Sequence, residues 1–302
     1  MNDVTKSPMG ITIKSPRELD LMREAGKVVA KAKAAVKSAI CPGATSREMD
    51  SLAEEVIRGE GAIPSFKGYQ PSPSMPPFPA TICFSFNEEI VHGIPNERVM
   101  CEGDIVSVDF GAIVDGYHGD SAFTVGVGKI SREAELLLSA TEQSLNKGIE
   151  QAKVGSRLTD ISNAVQTHAE GLGFFVVREY VGHGIGRSLH EEPQVPNYGS
   201  AGRGPKLKAG MALAIEPMLN IGTWQTKVMK DGWTVCTKDG TLSAHFEHTV
   251  AITEEGGHHQ LRLMVVANLS AVDTYAPVSY THLRAHETRL ALVCRLLLEK
   301  KK

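Results

Sequence analysis

Residues 105–128 read IVSVDFGAIVDGYHGDSAFTVGVG, and this stretch decides how the chain folds. Asp115-Gly116 stands between two runs that alternate apolar and polar residues, a pattern that predicts a β-hairpin closed by a two-residue turn. If that turn pairs Val114 with Tyr117, Gly111 lies opposite Asp120, and Asp109 stands two residues along from Gly111. Side chains two apart share a face, so both carboxylates project from one side of the ribbon as diagonal neighbours, roughly 7–8 Å apart at the backbone. Two like charges on a largely apolar ribbon repel and lose hydration. A divalent metal between them removes both costs. Two solvated carboxylates on an exposed hairpin are the alternative that the hairpin alone leaves open.

Upstream, Ser15-Pro16-Arg17-Glu18 is a capping box with proline in the first helical position, and Leu19, Met22, Gly26, Val29 and Val36 recur at near-helical spacing. Thr45-Ser46-Arg47-Glu48 opens a second helix that Gly59 and Gly61 end. The pattern returns about 112 residues later, with a helix expected over 131–153 and another through Leu158, Ile161 and Val165. Gly43 aligns with Gly155, Met49 with Ile161 and Gly61 with Gly173, which reads as a duplicated helix–helix–strand unit; chance similarity of two helix pairs is the alternative. Two related halves create a site at their junction. Strands are expected at 174–181, 211–216 and 243–252. The proline-rich stretch QPSPSMPPFP, residues 70–79, is expected to be an extended surface loop.

The 302 residues carry a formal net charge of −3, which gives no reason to expect nucleic acid or an anionic membrane as a main partner. The opening residues lack the plan of a signal peptide, and no run approaches membrane-spanning length. Five cysteines without a CxxC indicate neither a disulfide framework nor a structural zinc site, so a cytoplasmic, reducing setting fits best. From residue 257 onward the strand-and-turn logic lapses. The expected domain is therefore residues 1–256, and 257–302, with His258 and His259, reads as a read-through tail foreign to it.

Three further ligand-type residues stand at defined positions. His183 lies in VGHGIG, expected just past a strand, where three glycines let the backbone crowd close to a ligand. Glu216 ends an expected strand before Pro217, and Glu247 lies within the strand-like AHFEHTV. Singly, each is as well explained by a strand edge or an ion pair. Together, two Asp, one His and two Glu form a set suited to two adjacent divalent metals. Gly182-x-Gly184-x-Gly186 lacks the context of a nucleotide loop, and no nucleophile elbow supports Ser-His-Asp catalysis.

The strings VDFGAIVDGYHGDSA, REYVGHGIGRSLHEEPQVPNY, MALAIEPM, MKDGWTV and SAHFEHTV resemble the type I methionine aminopeptidases, peptidase family M24, in their bacterial short form. The resemblance runs from about Ile11 to about Glu255. It implies an α+β, pita-bread fold, two pseudo-symmetric αβ halves around a dinuclear metal site. It implies that Asp120 and Glu247 bridge two divalent ions (Mn, Fe, Co or Zn), that Asp109 chelates one, and that His183 and Glu216 complete the other. The implied activity is removal of the initiator methionine from nascent proteins, preferring a small second residue, with a metal-bridging hydroxide attacking the scissile carbonyl. By the same carry-over, His190 hydrogen-bonds that carbonyl, His92 contacts the substrate amide nitrogen and helps deliver a proton, and Glu216 doubles as a base. Cys83 and Trp233 match positions lining the methionine pocket, whereas His118, His168, His245 and His248 receive no catalytic role.

The implied partner is the N-terminal Met of nascent polypeptides, with ribosome association compatible; neither nucleic acid nor membrane is expected, and the resemblance suggests a monomer. Two departures from the family pattern bear on pocket shape: Leu189 stands where many members carry an aromatic, and the loop at 70–79 is longer than usual. An Xaa-Pro aminopeptidase or prolidase is the runner-up, although those usually carry a sizeable extra N-terminal domain. A type II enzyme would carry a large insertion in its second half. A domain of this fold that has lost catalysis typically loses ligands, and all five are present here.

Overall fold

The computed structural model describes residues 10–254; the tail at 257–302, including His258 and His259, lies outside the described residues. Helix α1 (Pro16–Ala39) begins at the expected box: the Ser15 side chain accepts from the Glu18 backbone, and the Glu18 carboxylate takes the Ser15 N–H. Thr45 and Glu48 cap α2 (Ser46–Gly59) in the same way. Strands β1 (Ile63–Pro64), β2 (Ile82–Phe86), β3 (Glu89–Val91), β4 (Ile105–Val114) and β5 (Tyr117–Gly126) follow. The β4–β5 register pairs Val114 with Tyr117 and Gly111 with Asp120, as the turn required. Asp115 and Gly116 both adopt left-handed backbone, with φ of 47° and 80°, the geometry a two-residue hairpin of this kind demands. Val29 and Val36 of α1 and Met49 and Ile57 of α2 bury against Phe84, Val108 and Phe110 of this first sheet.

The second half repeats the plan with α3 (Arg132–Gln151) and α4 (Leu158–Gly171). Its strands are β6 (Phe175–Val176), β7 (Gly182–Gly184), β8 (Glu191–Val195), β9 (Ala212–Ile215), β10 (Met218–Asn220), β11 (Thr226–Val228), β12 (Val235–Thr237), β13 (Ser243–His245) and β14 (His248–Ala251). They form the antiparallel sheets β14-β9-β7-β8 and β13-β10-β6, while β11-β12-β3 ties the second half to the first. Among the described residues, no helix is long and apolar enough to cross a membrane.

Three strand expectations are corrected. The run 174–181 yields only the two-residue β6, and His183 lies inside β7 rather than past a strand. The run 211–216 ends at Ile215, and 243–252 is broken at Phe246-Glu247, so Glu247 sits at a break and not within a strand. The cause is Pro217, which has no N–H to donate to a ladder. The chain therefore leaves the β9–β14 pairing there and resumes as β10 against β13, and the partner segment breaks opposite it. Ala122 of β5 fills the gap, exchanging backbone hydrogen bonds with Glu247 in both directions. The first half thus meets the second where both strands are interrupted.

Candidate metal centre

Each predicted ligand owes its place to one of these local features. The hairpin supplies Asp109 and Asp120, the paired breaks supply Glu216 and Glu247, and β7 carries His183 opposite Ala214 of β9. The glycines around His183 serve a different purpose from the one expected. A Cβ on Gly182 would lie 2.3 Å from Ala214 O, and one on Gly184 would lie 2.2 Å from Glu192 O. They press β7 onto its neighbouring strands, not onto a ligand. His183 Nδ1 lies 2.9 Å from its neighbour's carbonyl, Gly184 O, so it carries the hydrogen and donates, which leaves the Nε2 lone pair free.

That Nε2 is 3.4 Å from Glu216 Oε1 and 4.0 Å from Asp120 Oδ2. Ligand-type atoms of Asp120, His183 and Glu247 lie within 4.8 Å of one another. All three residues are buried. Burial, and then the neighbouring acids, push Asp120, Glu216 and Glu247 well above the ordinary carboxylate range. Burial raises Asp109 to about 6. Lys33 of α1 adds one positive charge acting on Glu247, Asp109 and Asp120, its Nζ donating to Ser121 Oγ at 2.6 Å and Ala122 O at 3.3 Å. One lysine does not balance four acids. Asp109 Oδ1, Asp120 Oδ1 and Glu247 Oε1 are buried without any hydrogen-bond partner. Orphaned acceptors, crowded like charges and an oxygen-rich set with one imidazole fit a divalent cation of the borderline transition series.

These residues line a cavity of about 440 Å³ that also contains Cys83, His92, His190 and Trp233. His92 sits in left-handed backbone, φ 60°, with its ring edge-on to Trp233, and burial lowers its pKa to about 4. The His190 ring lies 4.3 Å from that of His183, and its Nδ1 is 2.7 Å from Tyr69 Oη. Cys83 stands opposite Asp109 in the β2–β4 register, its thiol kept neutral by burial. Trp233 packs edge-on against Phe78 at 5.2 Å and donates from Nε1 to Pro76 O at 3.1 Å. The loop at 70–79 is therefore no plain surface excursion: Met75 and Phe78 fold back as cavity wall, beside a buried Leu189.

Three residues near the candidate metal centre draw no role from the sequence: Tyr69, Lys33 and His245. His245 Nε2 is 3.8 Å from Glu216 Oε2, and burial pushes its pKa down to about 3. Lys33 leaves a readable trace, since it falls four residues after Val29 on the apolar stripe of α1. Tyr69 leaves none beyond its place beside the proline-rich loop.

Comparison with known proteins agrees with this geometry. Residues 20–254 match Metallopeptidase family M24. Methionine aminopeptidase 1 of Bacillus subtilis is 55% identical over 246 residues, covering 82% of this chain and 97% of that protein. Methionine aminopeptidase 1 of Mycobacterium tuberculosis is 50% identical over 250 residues, covering 80% and 92%. Among solved structures, the methionine aminopeptidase of Thermotoga maritima superposes with a TM-score of 0.78 at 46% identity, covering 82% of this chain and 97% of that one. The prolidase of Pyrococcus furiosus shares the fold alone: its TM-score is 0.64 at 22% identity, and the match covers 81% of this chain but 63% of that one. The two helix-backed halves are the pita-bread architecture, and the chain belongs to the methionine aminopeptidases of metallopeptidase family M24.

Proposed function

We propose that this protein is a metal-dependent aminopeptidase that removes the initiator methionine from nascent polypeptides and prefers a small second residue. The observation that carries the reading is a cluster of buried, unpaired carboxylates beside an apolar cavity walled by Trp233, Phe78 and Met75. Asp109, Asp120, His183, Glu216 and Glu247 would hold two divalent ions drawn from Mn, Fe, Co or Zn. When bound, such ions polarise a scissile carbonyl and lower the pKa of water.

The remaining tasks belong to side chains. Trp233, Phe78 and Cys83 receive the thioether, which favours aromatic and polarisable walls. His190 donates to the scissile carbonyl oxygen and stabilises its developing charge. His92 faces the substrate amide nitrogen and delivers a proton to the leaving amine, and Glu216 accepts one. The working unit we propose is a monomer, as the resemblance to the type I enzymes suggests. The substrate places the reaction in the cytoplasm, beside the ribosome. Residues 1–256 are the catalytic unit and 257–302 are dispensable to it.

The test is to strip metal from the full chain and from a chain ending at residue 256, then assay Met-Ala-Ser and an Ala-Pro peptide with and without Mn²⁺ or Co²⁺. Both chains should release methionine from Met-Ala-Ser only with metal. Cleavage of the proline peptide alone would move the protein to the prolidase branch. A folded, metal-loaded protein inert to both would be a binding module.

A further inference from the structure

The proline-rich loop is pinned across the cavity at three places. Gly68 N–H donates to Phe78 O and Phe78 N–H donates to Tyr69 O, each at 2.8 Å, which closes the segment into a strap. Trp233 Nε1 holds its middle through Pro76 O. The residue just before it turns inward: Tyr69 Oη lies 2.7 Å from His190 Nδ1, with ring centroids 5.3 Å apart.

We propose that Tyr69 is a positioning residue that donates its phenol hydrogen to His190 Nδ1 and so keeps the imidazole proton on Nε2, the nitrogen left to bond the substrate carbonyl. The inference rests on the aminopeptidase reading above and deepens it for His190. A neutral imidazole carries one N–H, and the hydrogen bond at one nitrogen selects where it sits. In the opposite arrangement, Nδ1–H donates to the phenol and Nε2 presents a lone pair. The substrate carbonyl assigned to His190 is an acceptor. A lone pair at Nε2 cannot bond that acceptor, whereas an N–H can. Burial raises the Tyr69 pKa further, so the phenol stays a donor.

No proton changes owner in this arrangement; Tyr69 only fixes the tautomer. Its effect is realised as charge grows on the carbonyl oxygen, so it falls on kcat and not on KM. A tyrosine that merely walled the pocket would act on KM.

The experiment uses the full-length enzyme and four forms: wild type, Tyr69→Phe, His190→Ala and the double variant. Phenylalanine keeps the ring in the wall and removes only the O–H. Met-Ala-Ser kinetics of the Mn²⁺ enzyme should show kcat reduced about tenfold by Tyr69→Phe, the size of one lost hydrogen bond, with KM unchanged. In the His190→Ala background the same change should have no further effect on kcat. Histidine ¹⁵N spectra of the diamagnetic Zn²⁺ form, assigned by the signal missing in His190→Ala, should place the wild-type proton on Nε2 and show a tautomer mixture in Tyr69→Phe. A wild-type proton on Nδ1, an equal loss in both backgrounds, or a raised KM with unchanged kcat would each overturn the proposal. Wild type inert to Met-Ala-Ser would instead sink the aminopeptidase reading, and the spectra would still decide the tautomer.

Discussion

Glu191 and the acids of the candidate metal centre are all held in the interior, yet they lie in opposite electrostatic states. Burial works to raise the Glu191 pKa, but bonds from Lys14 and Thr12 more than offset it and leave the carboxyl below its ordinary value. The Lys14 and Glu191 side chains are only 5% and 12% exposed, with Nζ 2.8 Å from Oε2. Asp120, Glu216 and Glu247, pressed together with little cationic relief, are driven the other way. At Glu191, where the carboxylate serves structure, the fold supplies a side-chain cation. At the candidate centre it supplies only Lys33 against four acids, a deficit that a divalent cation fits.

The strongest attack on this contrast is Asp120→Asn. Methionine release from Met-Ala-Ser should fall on the order of a thousandfold, the scale of several kcal/mol of metal-assisted stabilisation, with weakened Mn²⁺ binding by calorimetry. The metal-free variant should be no less stable in urea than metal-free wild type, because a crowded acid has become neutral. Lys14→Met should do the reverse. It leaves Glu191 buried and unpaired, costing roughly 3–5 kcal/mol in urea unfolding, with Mn²⁺ affinity unchanged. If the metal-free Asp120→Asn protein proved the less stable of the two, the contrast would be wrong.

Metal itself should act as the missing counter-charge. Zn²⁺ or Mn²⁺ at a hundredfold over Kd should stabilise the stripped protein by about 2.7 kcal/mol, read as a rise in Tm that Asp120→Asn lacks. Acid titration gives the smallest effect. The folded Glu191 value lies below the unfolded one, so the pair's contribution is complete above the ordinary 4.5 and fades as pH falls through the lower folded value. Urea midpoints of the metal-free protein should lose less on acidification in Lys14→Met than in wild type.

Local features are legible in the sequence. The boxes at Ser15–Glu18 and Thr45–Glu48 and the turn at Asp115-Gly116 are contained within a few residues, and each forms as its residues dictate. The hairpin register follows from its turn, and with it the shared face of Asp109 and Asp120. The strand expected at 243–252 is interrupted, because its break answers Pro217 on a segment some thirty positions earlier. No pattern within SAHFEHTV records that partner. The glycines flanking His183 are legible as close approaches, but what they approach, Ala214 O and Glu192 O, is set by pairing.

By itself, then, the sequence determined the helix pairs, the hairpin that aligns two aspartates and the family of the fold, because caps, turns and periodicity act over one or two turns of chain. Only the tertiary structure decided that Glu216 and Glu247 stand at facing breaks, that Lys33 reaches Ser121, that Lys14 neutralises Glu191 and that Tyr69 meets His190. The three side-chain contacts join residues 88 to 177 positions apart, and Coulomb and hydrogen-bond energies depend on distance in space, which such separations do not encode.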